Sequence, residues 1–223
     1  MTIRLWGRYT SGRTLKVLWA LNELGLDYEF VLASATMGPQ GAVAKGHRPY
    51  GLVDGPEYRA MNPNGRVPTI DDRGFVLWES NAIVGYLGMS YGPDHFYGGD
   101  VRMFASASRW LDFENNNLIP SMHAIDVQLR RTTAAERDPE RIDRARRALI
   151  DEFDKVEQQL GRTRYIAGAR WTMGDIGIGL RIHRWHVFGL EGAPQWPAIQ
   201  RYYAEIQARP AFAAVSDRSF HGG

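Results

Sequence analysis

Cysteine is missing from all 223 residues. Structural disulfides, a cysteine nucleophile, thiolate metal sites and disulfide exchange through a protein thiol are therefore excluded. Net charge is also scarce. Lys and Arg exceed Asp and Glu by only 2, too weak a field to draw a polyanion, so no nucleic-acid partner is expected. No apolar run approaches the ~20 residues needed to cross a bilayer, and no membrane partner is expected. The segment Met1 to Tyr9 carries arginines without a long apolar stretch, so no secretory signal is read there. These features suit a reducing compartment, and the cytoplasm is the expected location.

What is present is ordinary for a globular protein. Hydrophobic residues make up 44% and charged residues 23%, enough for one large core or two small ones. Ile3 to Gly7 reads as a short apolar strand. Thr14 to Leu24 places Val17, Ala20, Leu21 and Leu24 at helical spacing, and Gly25 follows where a helix end favours positive φ. Tyr28 to Ala33 resumes a strand pattern. From Ser34 to Pro56 the order dissolves into Gly, Pro and polar residues, a loop long enough to suggest a functional role. Asn62-Pro63-Asn64-Gly65-Arg66 is a turn signal. After it, Val67 to Ile70 and Phe75 to Trp78 flank Asp71-Asp72-Arg73-Gly74 as a hairpin. Ser80 opens a helix through Ile83, Val84 and Leu87.

The order βαβ followed by ββα predicts a small mixed sheet with helices on its faces. Gly88 to Asp100, rich in Gly, reads as a linker. Beyond it the pattern predicts helices only, at Val101 to Asn117, Ile119 to Arg131, Pro139 to Leu160, Thr172 to Phe188 and Trp196 to Arg209. The expected domains are residues 1–88, a linker at 89–100, and an all-helical domain at 101–223.

Four segments, in order, resemble the cytosolic glutathione transferase superfamily. They are Tyr9-Thr10-Ser11-Gly12-Arg13-Thr14-Leu15-Lys16-Val17, ending in Leu24-Gly25-Leu26-Asp27-Tyr28-Glu29; Asn62 to Ile70; Trp78-Glu79-Ser80-Asn81-Ala82-Ile83; and Tyr165-Ile166-Ala167-Gly168 through Trp171-Thr172-Met173-Gly174-Asp175-Ile176. Each alone is weak, whereas all four at plausible spacing are specific. The resemblance implies a thioredoxin-like α/β N-terminal domain that binds glutathione and an all-α C-terminal domain that shapes the second-substrate pocket. It also implies glutathione as co-substrate without a metal, a hydrophobic electrophile as its partner, and a homodimer engaged in detoxification.

A helix N-terminus offers free N–H groups and partial positive charge, both suited to an anion. Ser11, just ahead of the first helix, has a hydroxyl placed to donate to the glutathione sulfur; its alternative role is a plain helix cap. A free thiol titrates near ~8.5, and lowering that by ~2 units takes about 2.7 kcal/mol of preferential thiolate stabilisation. One hydroxyl bond to a charged group, worth roughly 1.5–3 kcal/mol, supplies much of it.

Arg13 departs from the family, whose bacterial members often carry Asn there. A cation at a helix N-terminus needs a nearby anion, so Arg13 either faces the thiolate or a substrate anion, or points into solvent. Thr10 belongs to the same glutathione-binding segment. Val67-Pro68 resembles the family's cis-proline corner, which offers backbone groups to the cysteinyl unit. Glu79 and Ser80 match the γ-glutamyl site: Ser80 caps the next helix, its N–H groups take the carboxylate, and Glu79 pairs with the ammonium. In the long loop, Lys45, His47 and Arg48 are candidates for the glycyl carboxylate, with His47 carried forward. Phe113, Asn116 and Asn117 are candidate second-substrate residues.

Thr172 to Ile176 resembles the family's folding box. Thr172 is expected to cap, Asp175 to reach back, and Trp171 with Ile176 to form a hydrophobic staple. His183 and His186 lie three apart on a helix but lack a third ligand, so packing is the better reading. The basic stretches Arg130-Arg131 and Arg141 to Arg147 are interleaved with acids and read as a solvated face. The resulting expectation is a serine-type glutathione transferase. Two alternatives stay open: a non-catalytic binding protein of the same fold, and a glutathione-dependent isomerase, peroxidase or ether-cleaving enzyme.

Overall fold

The structure, a computed structural model, describes residues 2–35 and 51–216. It divides into two compact units: the chain up to Tyr91 together with the segment from Ala211, and the stretch Gly92–Pro210. The first unit carries β1 (Ile3–Gly7), α1 (Gly12–Glu23), β2 (Tyr28–Leu32), α2 (Pro56–Met61), β3 (Thr69–Asp72), β4 (Phe75–Trp78) and α3 (Ser80–Tyr91). Its sheet has the order β2-β1-β3-β4. β1 pairs parallel with β2 (Leu5 opposite Phe30) and antiparallel with β3 (Leu5 opposite Ile70), which is the mixed sheet the pattern implies.

The sheet's packing follows from residue type. Leu5, Ile70, Leu15, Leu18, Ile83, Val84 and Leu87 are fully or almost fully buried, so α1 and α3 bury their apolar stripes. At Gly7 the chain must pass very close to α1: an added Cβ would lie 2.4 Å from Thr14 Cγ2. Gly25, at φ +61, ends α1 as expected. Phe212, in the segment that returns to this unit, packs on Trp19 with ring centroids 4.8 Å apart.

Several elements differ from the sequence reading. β3 begins at Thr69 and runs to Asp72, which leaves Val67 and Pro68 ahead of it and shortens the turn to Arg73-Gly74. Both turn residues have positive φ, the conformation that matches the twist of a tight hairpin. The stretch read as linker carries helix: α3 continues to Tyr91, and α4 occupies Pro93–Tyr97. The short helices α2 and α4 each begin with proline at the first turn, and neither is long enough to display a periodic stripe.

The second unit is helical: α4, α5 (Val101–Phe113), α6 (Ile119–Arg130), α7 (Pro139–Arg162), α8 (Gly174–Val187) and α9 (Pro197–Gln207). α10 (Pro210–Ser216) follows. The regular helix expected through Asn117 ends at Phe113 and passes into a π-helical turn at Glu114–Leu118. Glu114, fully buried there, meets Arg181 of α8 at 2.7 Å. A buried carboxylate requires such a partner.

The Asp175 side chain organises the entry to α8. Its two oxygens accept the N–H groups of Ile166 (2.9 Å) and Thr172 (2.7 Å). The expected Thr172 cap is corrected: Met173 holds the cap position, and the Thr172 hydroxyl donates to Asp175 instead. The physical reason is that a fully buried carboxylate draws every donor in reach. Burial pushes the Asp175 carboxyl up to about 6, against the opposing pull of the Ile166 and Thr172 N–H groups.

Replacing Asp175 by Ala strands two buried N–H donors and is expected to cost about 3 kcal/mol of stability, read from the urea midpoint. Because its folded-state pKa is raised, the folded chain holds a proton that the unfolded chain releases between pH 3.8 and about 6. The group's contribution therefore grows as pH falls through that window. The loss in Asp175→Ala is expected to be larger at pH 5 than at pH 7.

Candidate functional site

Two helix N-termini carry the candidate residues of the first unit. Ser11 caps α1 in extended geometry (φ −87°, ψ 115°), its Oγ accepting the Thr14 N–H at 3.3 Å. The cap does not preclude thiol activation. A hydroxyl has one donor and two acceptor positions, and this bond uses an acceptor, so the O–H hydrogen stays available to a ligand. The turn before it is held by the Ser11 N–H on the Arg8 carbonyl (3.0 Å) and by the Arg8 N–H on Thr14 Oγ1 (3.3 Å). Thr10 is buried in that turn, and Tyr9 stacks on Phe30 with centroids 4.2 Å apart.

The second N-terminus belongs to α3. Glu79 is the single residue between β4 and α3 and sits at φ +70, a left-handed conformation that costs a non-glycine residue about 1–2 kcal/mol. Ser80 follows as the first helical residue and is buried. One Glu79 oxygen accepts the Asn64 amide at 3.3 Å, and the other lies 3.8 Å from Arg13 Nη1. Arg13 thus has an anion beside it, as a cation in the first turn of a helix requires, and that anion is a carboxylate of the protein.

Asn64 had no assigned role beyond the turn motif. Asn62 donates to the Arg66 carbonyl and to Thr69 Oγ1 (both 2.9 Å), and Tyr58 also bonds Thr69 Oγ1 at 2.8 Å. These bonds tie the turn to β3, and Gly65 at φ +55 lets it close. The Val67-Pro68 bond is cis, as the resemblance implied, and both residues stand outside the β3 ladder, which starts at Thr69.

The two helices are also joined by a side-chain bond. Lys16 of α1, fully buried, donates from Nζ to Asn81 Oδ1 of α3 at 2.6 Å. A buried ammonium without an acceptor is strongly unfavourable, so the pair fixes the register of α1 against α3.

The remaining candidates divide differently. His47, with Lys45 and Arg48, lies outside the described residues. In the second unit, Phe113 meets Trp110 edge-on at 5.1 Å, the Asn115 amide reaches Asn116, and the Asn117 amide donates to Glu152 of α7 at 3.1 Å. His183 bonds the Tyr203 hydroxyl through Nδ1 at 2.7 Å, and His186 stacks on the same ring. Among the described residues no group of three or more His, Asp or Glu is arranged to hold a metal, and no helix is long and apolar enough to cross a membrane.

A mixed four-stranded sheet with a cis-proline just ahead of β3, followed in the chain by a helical unit, defines a thioredoxin-like class of fold with an all-α extension. Residues 10–89 match the family model for the glutathione S-transferase N-terminal domain, and residues 139–205 match that for the C-terminal domain. The chain is 34% identical over 215 residues to glutathione S-transferase GstB of Escherichia coli K12, covering 96% of this chain and 97% of that one. It is 29% identical to glutathione S-transferase 3 of Zea mays, covering 94% and 91%. The crystal structure of the theta class glutathione S-transferase from Xanthomonas axonopodis pv. citri with glutathione bound superposes with a TM-score of 0.85 at 33% identity, covering 96% of this chain and 97% of that one. The chain belongs to the glutathione S-transferase family.

Replacing Asn81 by Ala removes an acceptor from the buried Lys16 ammonium. A hydrogen bond to a charged group carries roughly 1.5–3 kcal/mol, so Asn81→Ala is expected to lower the unfolding free energy by about 2 kcal/mol in a urea titration.

Proposed function

We propose that this chain is a serine-type glutathione transferase in which Ser11 activates the glutathione thiol for attack on an electrophilic small molecule. The observation that carries this reading is the Ser11 hydroxyl at the N-terminus of α1, its oxygen occupied by the Thr14 N–H and its hydrogen free to donate.

Each named residue has a task. The glutathione thiol loses its proton to solvent as it binds. The Ser11 O–H then donates to the sulfur anion, and the partial positive charge of the α1 N-terminus favours the same charge state. Val67, ahead of the β3 ladder, offers its backbone N–H and C=O to the cysteinyl unit, with Pro68 shaping the corner and Thr10 flanking it. The free N–H groups at the start of α3, with Ser80, receive the γ-glutamyl carboxylate, and Glu79 receives the ammonium. For the glycyl carboxylate the resemblance implies a basic residue, with His47 the candidate beside Lys45 and Arg48. The held thiolate attacks an electrophilic carbon, a new C–S bond forms, and the leaving group departs with its electron pair. Positioning and a lowered thiol pKa are the protein's contributions.

The second substrate is proposed to be an apolar electrophile that meets Phe113, with Asn116 and Asn117 nearby in sequence. The engagement of Asn117 by Glu152 leaves Phe113 as the main contributor of apolar surface. A cytoplasmic homodimer completes the proposal on the ground of family membership.

Ser11→Ala tests the mechanism. Loss of a hydrogen bond to a charged group, about 1.5–3 kcal/mol, corresponds to a fall in kcat/KM of roughly 10- to 100-fold, with glutathione affinity in calorimetry nearly kept. Unchanged turnover in a folded Ser11→Ala would remove Ser11 from the mechanism. Absence of glutathione binding by the unaltered protein at millimolar concentration would overturn the transferase reading itself.

A further inference from the structure

The placement of Arg13 has a consequence for which thiols this enzyme accepts. Arg13 and Glu79 come from different elements, the first turn of α1 and the residue before α3, and they face each other at 3.8 Å. Their charges are opposite and their side chains partly exposed, 37% for Arg13 and 53% for Glu79. Neither is held by this contact alone. Glu79 also accepts the Asn64 amide on its other oxygen, while Arg13 rides on α1, whose Lys16 bonds Asn81 of α3.

An ion pair this long and this exposed has little to lose on opening. A ligand with an ammonium and a carboxylate on one carbon can enter such a pair crosswise, ammonium to Glu79 and carboxylate to the guanidinium. One weak pair is thereby exchanged for two charge-assisted contacts. The carboxylate also neutralises a cation that the positive end of α1 disfavours.

We infer that Arg13 is a specificity-determining residue that, opposite Glu79, reads the α-carboxylate of a free α-amino-acid head, so that the enzyme selects γ-glutamyl thiols over thiols lacking that zwitterion. This rests on the glutathione-binding reading above and assigns Arg13 away from the sulfur, to the far end of the tripeptide. Before binding, each side chain gives the other the charge complement that the ligand's ammonium and carboxylate supply once the pair opens.

The test uses the full chain and calorimetric titration with two thiols, glutathione and 4-aminobutanoyl-cysteinylglycine, which keeps the ammonium and lacks the α-carboxylate. The unaltered protein is expected to bind glutathione at least about tenfold tighter than the analogue, a difference of about 1.4 kcal/mol. Arg13→Gln is expected to weaken glutathione about tenfold while leaving the analogue within twofold, because the group that Arg13 reads is already gone. Arg13→Lys, which keeps the charge, is expected to recover glutathione binding to within about threefold of the unaltered protein. Equal weakening of both thiols by Arg13→Gln would mean that Arg13 only supports Glu79, and no weakening of either would mean that it contacts neither; both outcomes overturn the inference while leaving the transferase reading intact. Failure of the unaltered protein to bind glutathione would overturn both together.

Discussion

The buried bond from Lys16 to Asn81 sets the geometry on which the site depends. An ammonium fully removed from water must keep its acceptor, and here the acceptor lies on a helix 65 residues further along the chain. Hydrophobic contact between α1 and α3 is non-directional, whereas the Lys16–Asn81 bond joins two particular side chains. A charged hydrogen bond such as that from Lys16 to Asn81 is directional and adds a specific contact to the apolar packing. Ser11 and Arg13 belong to the helix that carries Lys16, and Glu79 and Ser80 to the start of the helix that carries Asn81.

A second constraint acts through the turn before β3. Asn62 and Tyr58 bond Thr69 and the Arg66 carbonyl, and burial pushes the Tyr58 phenol up, keeping it a proton donor. The turn is thereby held against the sheet while Asn64 reaches outward to Glu79. The cis corner at Val67-Pro68 and the Asn64 amide that reaches Glu79 belong to one short segment. Glu79, the single residue between β4 and α3, sits at φ +70, and its carboxylate meets Asn64 and Arg13. In the helical unit Asp175 plays a separate, structural part: it gathers the donors of Ile166 and Thr172 and starts α8.

Much of this was legible beforehand where the signal is local. Strand alternation in Ile3 to Gly7 and Phe75 to Trp78, the helical spacing from Val17 to Leu24, and the turn at Asn62 to Arg66 depend on neighbours in the chain, and they emerge with boundaries shifted by a few residues. The short helices α2 and α4 escaped because six or five residues cannot display a period of 3.6. The π-helical turn at Glu114–Leu118 has no signature in the apolar spacing, and the buried pairing of its Glu114 with Arg181 joins residues 67 apart. Ser11 could be named as both cap and donor, since a hydroxyl ahead of a helix suits either; only its bond to Thr14 shows the two to be compatible.

The sequence by itself determined the βαβ-ββα order, the helical second half, the lack of thiol chemistry in the protein and the family, because these follow from composition, periodicity and motifs that are local in the chain. Only the tertiary structure decided that Arg13 faces Glu79, that Asn64 shares that carboxylate, that Lys16 is buried against Asn81 and that Thr172 donates to Asp175 in place of capping. Each of these is a directional contact between side chains; the first three join residues far apart in the chain, which no local spacing encodes, and in the last the spacing brings Thr172 and Asp175 together while burial decides which group donates.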